Sequence, residues 1–227
     1  MTADTPETPI RDAATLVLWR AGRQGPEVLM GQRGARAAFM ASKFVFPGGA
    51  IDPSDALAPL ARPLPARCAD RLAMAGSTAP EALAAAAIRE LAEEAGLMLA
   101  RPGPWTAEVP AGWQRFAADG LLPDAGALTF FFRAITPPGR TRRFDARFFM
   151  ADAAELAGEH DDFSNADSEL SHLKWLSLPE ARALDLPFVT EVVLAEVSAY
   201  LSGADTLSAG VPFFDNSTTR PIFRRLG

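Results

Sequence analysis

Arg89-Glu90-Leu91-Ala92-Glu93-Glu94-Ala95-Gly96-Leu97 ends an alanine-rich run that starts at Glu81. Residues 81–95 read as one helix. Pro80 suits its first turn, Ser77 and Thr78 offer an N-cap, and Gly96 fits the C-terminal cap. On that helix Glu90, Glu93 and Glu94 stand at i, i+3 and i+4, so their carboxylates crowd onto one face. Leu91 and Ala95 continue a stripe from Ala84, Ala87 and Ile88 that would face a core. Local energetics oppose the acidic face twice. Like charges at i,i+4 repel by about a few tenths of a kcal/mol. Acidic groups near a helix C-terminus oppose the macrodipole, at roughly 0.3–1 kcal/mol each. A divalent cation held by oxygen ligands reverses the sign of both, and local rules tend to be broken at functional sites. Alone, three glutamates on an alanine-rich helix read as a solvated acidic face. The neighbours change the weighing. The string R-E-aliphatic-x-E-E-x-G-aliphatic arises by chance on the order of once in 10⁵ chains of this size.

Outward from the helix, residues 14–19 and 28–33 read as two strands of a hairpin across a turn at 22–26. Residues 43–46 form a short strand that stops at Pro47-Gly48-Gly49, where two glycines allow backbone geometry closed to other residues. Residues 52–80 are rich in Pro, Ala and Arg and read as an insertion with a short helix near 70–75. Residues 101–125 read as a second insertion, with 113–118 its helical piece; 97–100 could start a strand. Residues 128–135, 144–150 and 172–176 read as strands, 158–169 as an acidic loop, 179–184 and 189–201 as helices, and 216–227 as a polar, basic tail. Strands and helices alternate irregularly, which predicts an α/β sandwich with helices on both faces of one mixed sheet.

The chain has 227 residues, enough for one domain with insertions. With 48% apolar and 22% charged residues it is neither disordered, collagen-like nor a coiled coil. The longest apolar run, 82–88, is too short to cross a bilayer. Residues 1–9 are acidic and Pro/Thr-rich, without the order of a secretory signal, so a cytoplasmic protein without membrane contact is expected. A net charge of −6 argues against a nucleic-acid partner. Only Lys43 and Lys174 are lysines among 22 basic residues. Arginine suits phosphate, although a compositional bias explains the excess as well. One cysteine, Cys68, and two histidines, His160 and His172, exclude an intrachain disulfide, a cysteine zinc site and a multi-histidine site. Any metal chemistry must use oxygen ligands.

The segment 89–97 resembles the second half of the signature of the Nudix hydrolase superfamily. That signature runs Gly, five residues, Glu, seven residues, then R-E-aliphatic-x-E-E-x-G-aliphatic. Glu81 stands seven residues before Arg89, as the pattern asks. The opening glycine does not stand five residues before Glu81, so Phe46-Pro47-Gly48-Gly49 is taken to supply it, with about 52–77 inserted. Phe39-Met40, Val45–Gly49, Asp52, Asp55, Thr136-Pro137 and 143–149 are similar to the branch containing coenzyme A diphosphatases. The resemblance spans about residues 16–201 and implies an α/β/α sandwich around a mixed sheet, with the insertions added.

It also implies hydrolysis of a nucleoside diphosphate linked to another moiety, with Mg²⁺ or Mn²⁺ as cofactor. Glu93 and Glu94 are then metal ligands, Glu90 a ligand or base, and Arg89 the residue that orients them. Gly49 would offer a backbone carbonyl to the metal. Glu169 is the candidate general base, with Glu159, Asp161 and Asp162 as rivals. Arg33, Arg36, Arg142, Arg143 and Arg147 could hold substrate phosphates, and Phe46 could contact the substrate; each arginine could equally be structural. The four tryptophans read as core. Coenzyme A or its thioesters lead as substrate. ADP-ribose, NADH or a nucleotide sugar remain open, as does a non-catalytic nucleotide-binding module of the same fold. Oligomeric state is not readable.

Overall fold

A computed structural model describes residues 8–35, 37, 39–76 and 79–227. In chain order the elements begin with β1 (Ile10–Gly22), β2 (Gly25–Arg33), β3 (Phe44–Val45) and β4 (Gly48–Ala50). A 3₁₀ turn (Pro53–Leu57) precedes α1 (Ala66–Met74) and α2 (Pro80–Ala95). Then come β5 (Ala100–Pro102), α3 (Gln114–Ala118), β6 (Leu121–Pro123), β7 (Thr129–Ile135) and β8 (Arg143–Asp152). The chain closes with β9 (Leu170–Ser177), α4 (Leu178–Arg182), α5 (Phe188–Leu201), β10 (Val211–Asp215) and β11 (Ile222–Leu226).

The main sheet is mixed, with order β11-β10-β7-β8-β1-β2-β3, β4 added to β1 and β9 to β2. Strand β1 is central. It runs parallel to β8 and antiparallel to β2 and β4. Its Ala14, Leu16, Val17 and Leu18 are fully buried, which explains the unbroken apolar run: a strand covered on both faces needs no polar alternation. β1 is longer than residues 14–19 because ladder bonds, not hydrophobicity, carry its ends at 10–13 and 20–22. Helices lie on both faces. Consecutive residues of β7 point oppositely. Arg133 donates to Ala75 O, just past α1, at 2.8 Å. Phe132 instead meets Phe223, in a ring cluster that reaches Phe188 of α5 through Phe214.

The polar tail expected at 216–227 is corrected: it contains β11, antiparallel to β10. β11 is an edge strand and largely exposed, so no buried alternation marks it, and its arginines suit a sheet edge. The helix expected near 70–75 starts earlier, at Ala66, and buries Cys68, Arg71 and Leu72. The N-cap expected at Ser77 or Thr78 lies outside the described residues, as does Arg36. Gly96 closes α2 in the left-handed conformation, φ 73°. Among the described residues no helix is long and apolar enough to cross a membrane.

One ion-pair network pins the first insertion to the second. Asp124 is wholly buried, and accepts from Arg62 Nη2 at 2.6 Å and Arg101 Nε at 2.7 Å. Both arginines also reach Glu155. Burial alone would raise the Asp124 pKa, but the bonds from Arg62 and Arg101 outweigh it, and the carboxyl sits below its ordinary range. Its contribution to stability is therefore complete above the unfolded value of about 3.9 and fades as pH falls through the lower folded value. We expect Asp124→Asn to cost on the order of 3 kcal/mol near neutrality. Urea titrations from neutral to strongly acid pH should show the variant converging on wild type as the wild-type network protonates.

Candidate active site

The C-terminal half of α2 presents Arg89, Glu90, Glu93 and Glu94, and β4 brings Gly48-Gly49 against them. β4 pairs Ala14 with Gly49 and Thr15 with Gly48. A Cβ on Gly48 would come within 2.7 Å of the Ala14 carbonyl. One on Gly49 would collide with the Glu90 carboxylate. The double glycine thus lets backbone pass between β1 and α2. Gly48 N–H donates to Glu94 Oε2 at 2.8 Å.

Arg89 is buried and uses all five of its N–H donors. Nε and Nη2 grip Asp55 at 2.8 and 3.1 Å. Nη2 also donates to Ala50 O at 3.1 Å. Nη1 bridges Glu90 Oε1 at 3.0 Å and Glu93 Oε2 at 2.7 Å. Asp55, 1% exposed, is itself fixed by Asp52 N–H at 2.8 Å in a capping box of the 3₁₀ turn. This corrects the reading of Glu81. Glu81 is exposed in the first turn of α2 and has no ion pair or hydrogen bond among the described residues. Asp55 follows Gly49 after five residues, the spacing the signature asks of its acid. The signal Gly49-x₅-Asp55 was present in the sequence but shortened by one methylene and masked by the surrounding prolines.

Two of the three carboxylates, Glu90 and Glu93, share one guanidinium whose donors are spent. Burial raises the Glu94 carboxyl to about 8, against the opposing Gly48 N–H, and the Glu90 carboxyl to about 7, against Arg89. Glu93, half-buried, is raised by the same cause. Glu94 Oε1 is buried with no hydrogen-bond partner among the described residues. Such an oxygen calls for an explanation, and a hard cation fits the all-oxygen donor set. Among the described residues no group of three such side chains already stands ready to hold a metal ion. The reason is visible: Arg89 Nη1 lies between Glu90 and Glu93, and Glu94 faces Gly48 and Arg33.

Arg33 connects the cluster to the acidic loop. Its Nη1 is 3.8 Å from Glu94 Oε1, and its Nη2 donates to Glu169 Oε2 at 3.3 Å. Arg33 and Leu170 are register partners between β2 and β9, which carries Glu169 to the site; Asp167 accepts from Glu169 N–H and shapes that turn. The rival Asp161 is paired with Arg20, and Asp162 accepts from Ser164 N–H. Two expected substrate contacts are corrected. Phe46 is 3% exposed and packed in the core. Arg143, 2% exposed, donates to Thr136 O at 3.1 Å and Ser217 O at 2.8 Å, tying the tail to the β7–β8 connection. Arg147 is likewise buried, against Asp12 and Asp145, while Arg142 is exposed.

A mixed sheet that offers a glycine pair to a glutamate-bearing helix turn defines a class of hydrolase. A crystal structure of a Nudix hydrolase from Alicyclobacillus acidocaldarius superposes with a TM-score of 0.65 at 30% identity, over 88% of this chain and 99% of that one. The chain belongs to the Nudix hydrolase superfamily. No family model matches it. It is 30% identical to the acyl-coenzyme A diphosphatase NUDT19 of Gallus gallus, over 75% of this chain and 62% of that protein. A relative from Caenorhabditis elegans is 28% identical over 75% of this chain and 52% of its own length. The chain thus spans about half to two thirds of the curated relatives it matches. The NUDIX domain of Shewanella oneidensis NrtR, TM-score 0.50 at 13% identity, shares the fold.

Asp55→Asn should leave Arg89 buried beside a neutral partner and cost about 3–5 kcal/mol. Glu81→Gln should stay within about 0.5 kcal/mol of wild type. Chemical denaturation of both variants decides between the two acids; equal losses, or a larger one at Glu81, would overturn the assignment of Asp55.

Proposed function

We propose that this chain is a divalent-cation-dependent pyrophosphohydrolase acting on a small nucleotide, a nucleoside diphosphate linked to another moiety. Coenzyme A or acyl-coenzyme A is the substrate we favour, giving 3′,5′-ADP and a 4′-phosphopantetheine fragment. The observation that carries this reading is the buried Glu94 oxygen, without a hydrogen bond among the described residues, beside two more carboxylates of one helical turn. The likeness to an acyl-coenzyme A diphosphatase supports the choice of substrate.

Glu90, Glu93 and Glu94, with the Gly49 carbonyl, would hold Mg²⁺ or Mn²⁺. When bound, such an ion neutralises charge developing on phosphate oxygens and lowers the pKa of water. The chain's own residues supply the rest. Arg89 fixes the angle of Glu90 and Glu93 through its bonds to both. Asp55 and Ala50 O prevent Arg89 from following a substrate phosphate. Arg33 is the cation aimed at the cluster that still has capacity: its Nε has no hydrogen-bond partner among the described residues. It would bind a phosphate oxygen of the substrate. Glu169, exposed and held only by Arg33 and its own turn, would accept the proton of the attacking water.

Glu93→Gln should lower kcat by at least about 100-fold and keep the fold. Wild type should melt at higher temperature as Mg²⁺ or Mn²⁺ is added, because a ligand that binds only the folded state stabilises it by mass action. Glu93→Gln should lose most of that shift. Glu169→Gln should lower kcat comparably yet keep the metal-dependent shift. Chromatography of the products tests the substrate: cleavage of coenzyme A to anything other than 3′,5′-ADP and the phosphopantetheine fragment would sink it.

A further inference from the structure

Beside Glu93 lies a cavity of about 270 Å³. Three separate segments build it: the last turns of α2, the second insertion, and the acidic loop before β9. Ala92 and Phe116 give it apolar walls, Arg115, Asn165 and Asp167 give it polar ones, and Glu93 is shared with the catalytic cluster. The segments are fastened together. Asp167 N–H donates to Glu93 O at 2.8 Å. Arg115 Nη2 donates to Gly96 O at 2.9 Å. Gly112 turns with φ 85° so closely over the site that a Cβ there would come within 2.9 Å of Arg89 Cδ.

Arg115 carries the chemical clue. Its Nη1 is buried and has no hydrogen-bond partner among the described residues. A buried donor left unmade costs free energy, so an acceptor entering the cavity is favoured there. That acceptor is not strongly anionic, because Glu93 and Asp167 line the same space and would repel a phosphate. Nor is a purely apolar group fitted, since it would leave the buried Arg115 Nη1 without an acceptor. A cation would face Arg115 itself. A neutral group with both acceptors and donors along an apolar backbone satisfies every wall.

We propose that this cavity seats the uncharged, amide-bearing arm attached to the diphosphate of the substrate, with Arg115 donating to an amide carbonyl and Asp167 accepting an amide N–H. The second insertion is thereby a specificity element. This rests on the pyrophosphohydrolase reading above and names the part of the substrate the site selects.

The test compares wild type with Arg115→Met. Since Arg115 also holds the end of α2, Asn165→Ala, on an exposed loop, is measured beside it. The probes are coenzyme A, ADP-ribose, which has no amide arm, and pantetheine, which has the arm and no phosphate. We expect Arg115→Met to raise the KM for coenzyme A and the Kd for pantetheine about tenfold, and Asn165→Ala to raise both severalfold. The KM for ADP-ribose should not move in either variant. Wild-type turnover of coenzyme A, with KM and pantetheine binding indifferent to both substitutions, overturns the cavity assignment and leaves the activity standing. Arg115-dependent pantetheine binding without turnover of either nucleotide keeps the cavity and removes the activity. Failure of wild type to bind pantetheine, with an unchanged KM for coenzyme A in the variants, also overturns it.

Discussion

The guanidinium of Arg89 is the interaction on which the site depends. It is buried, and a buried charge persists only where it is paired and every donor is satisfied. Five donors find acceptors on the 3₁₀ turn, on β4 and on its own helix. One side chain thus fixes the distance between α2 and the edge of β1 that β4 occupies. It also offsets the cost of gathering carboxylates at a helix C-terminus, where both neighbours and macrodipole oppose them. It does not cancel that cost, because Glu94 lies outside its reach and keeps a buried oxygen without a hydrogen bond among the described residues.

The second constraint is size. Ala82 and Ala84 through Ala87 are buried, so α2 presents mostly methyl groups and can lie close on the sheet. At its far end the approach tightens until only glycine fits, at Gly48 and Gly49. Small residues on the helix and glycine in the strand are two parts of one solution. Glu94 can then accept from the Gly48 N–H, and the Glu90 carboxylate can lie against Gly49.

The helix and its carboxylates were legible in the sequence because a 3.6-residue period and a rare string coincide there. The sheet centre was legible because strands buried on both faces advertise themselves as apolar runs. Other features left no such trace. β11 is an exposed edge strand whose arginines bond to Asp215 and to the carbonyls of Thr206 and Gly210, and its composition looks like a tail. Asp55 is an aspartate in a proline-rich stretch, and its role exists only through a partner that lies far along the chain. Phe46 and Arg143 carry the residue types of a binding site, yet composition cannot say which way a side chain faces; burial turned both inward.

Arg33 shows why the arrangement is not a finished cage. It is drawn between two acids, Glu169 at 3.3 Å and Glu94 at 3.8 Å. The contact with Glu94 is too long for a hydrogen bond and is a longer-range ion-pair contact with a buried carboxyl. In a protein of net charge −6, a cation placed beside these carboxylates is covered by acid on more than one side. Arg33 thus ties the buried end of α2 to the loop before β9 in one acid–arginine–acid chain, and its positive charge is balanced from both sides.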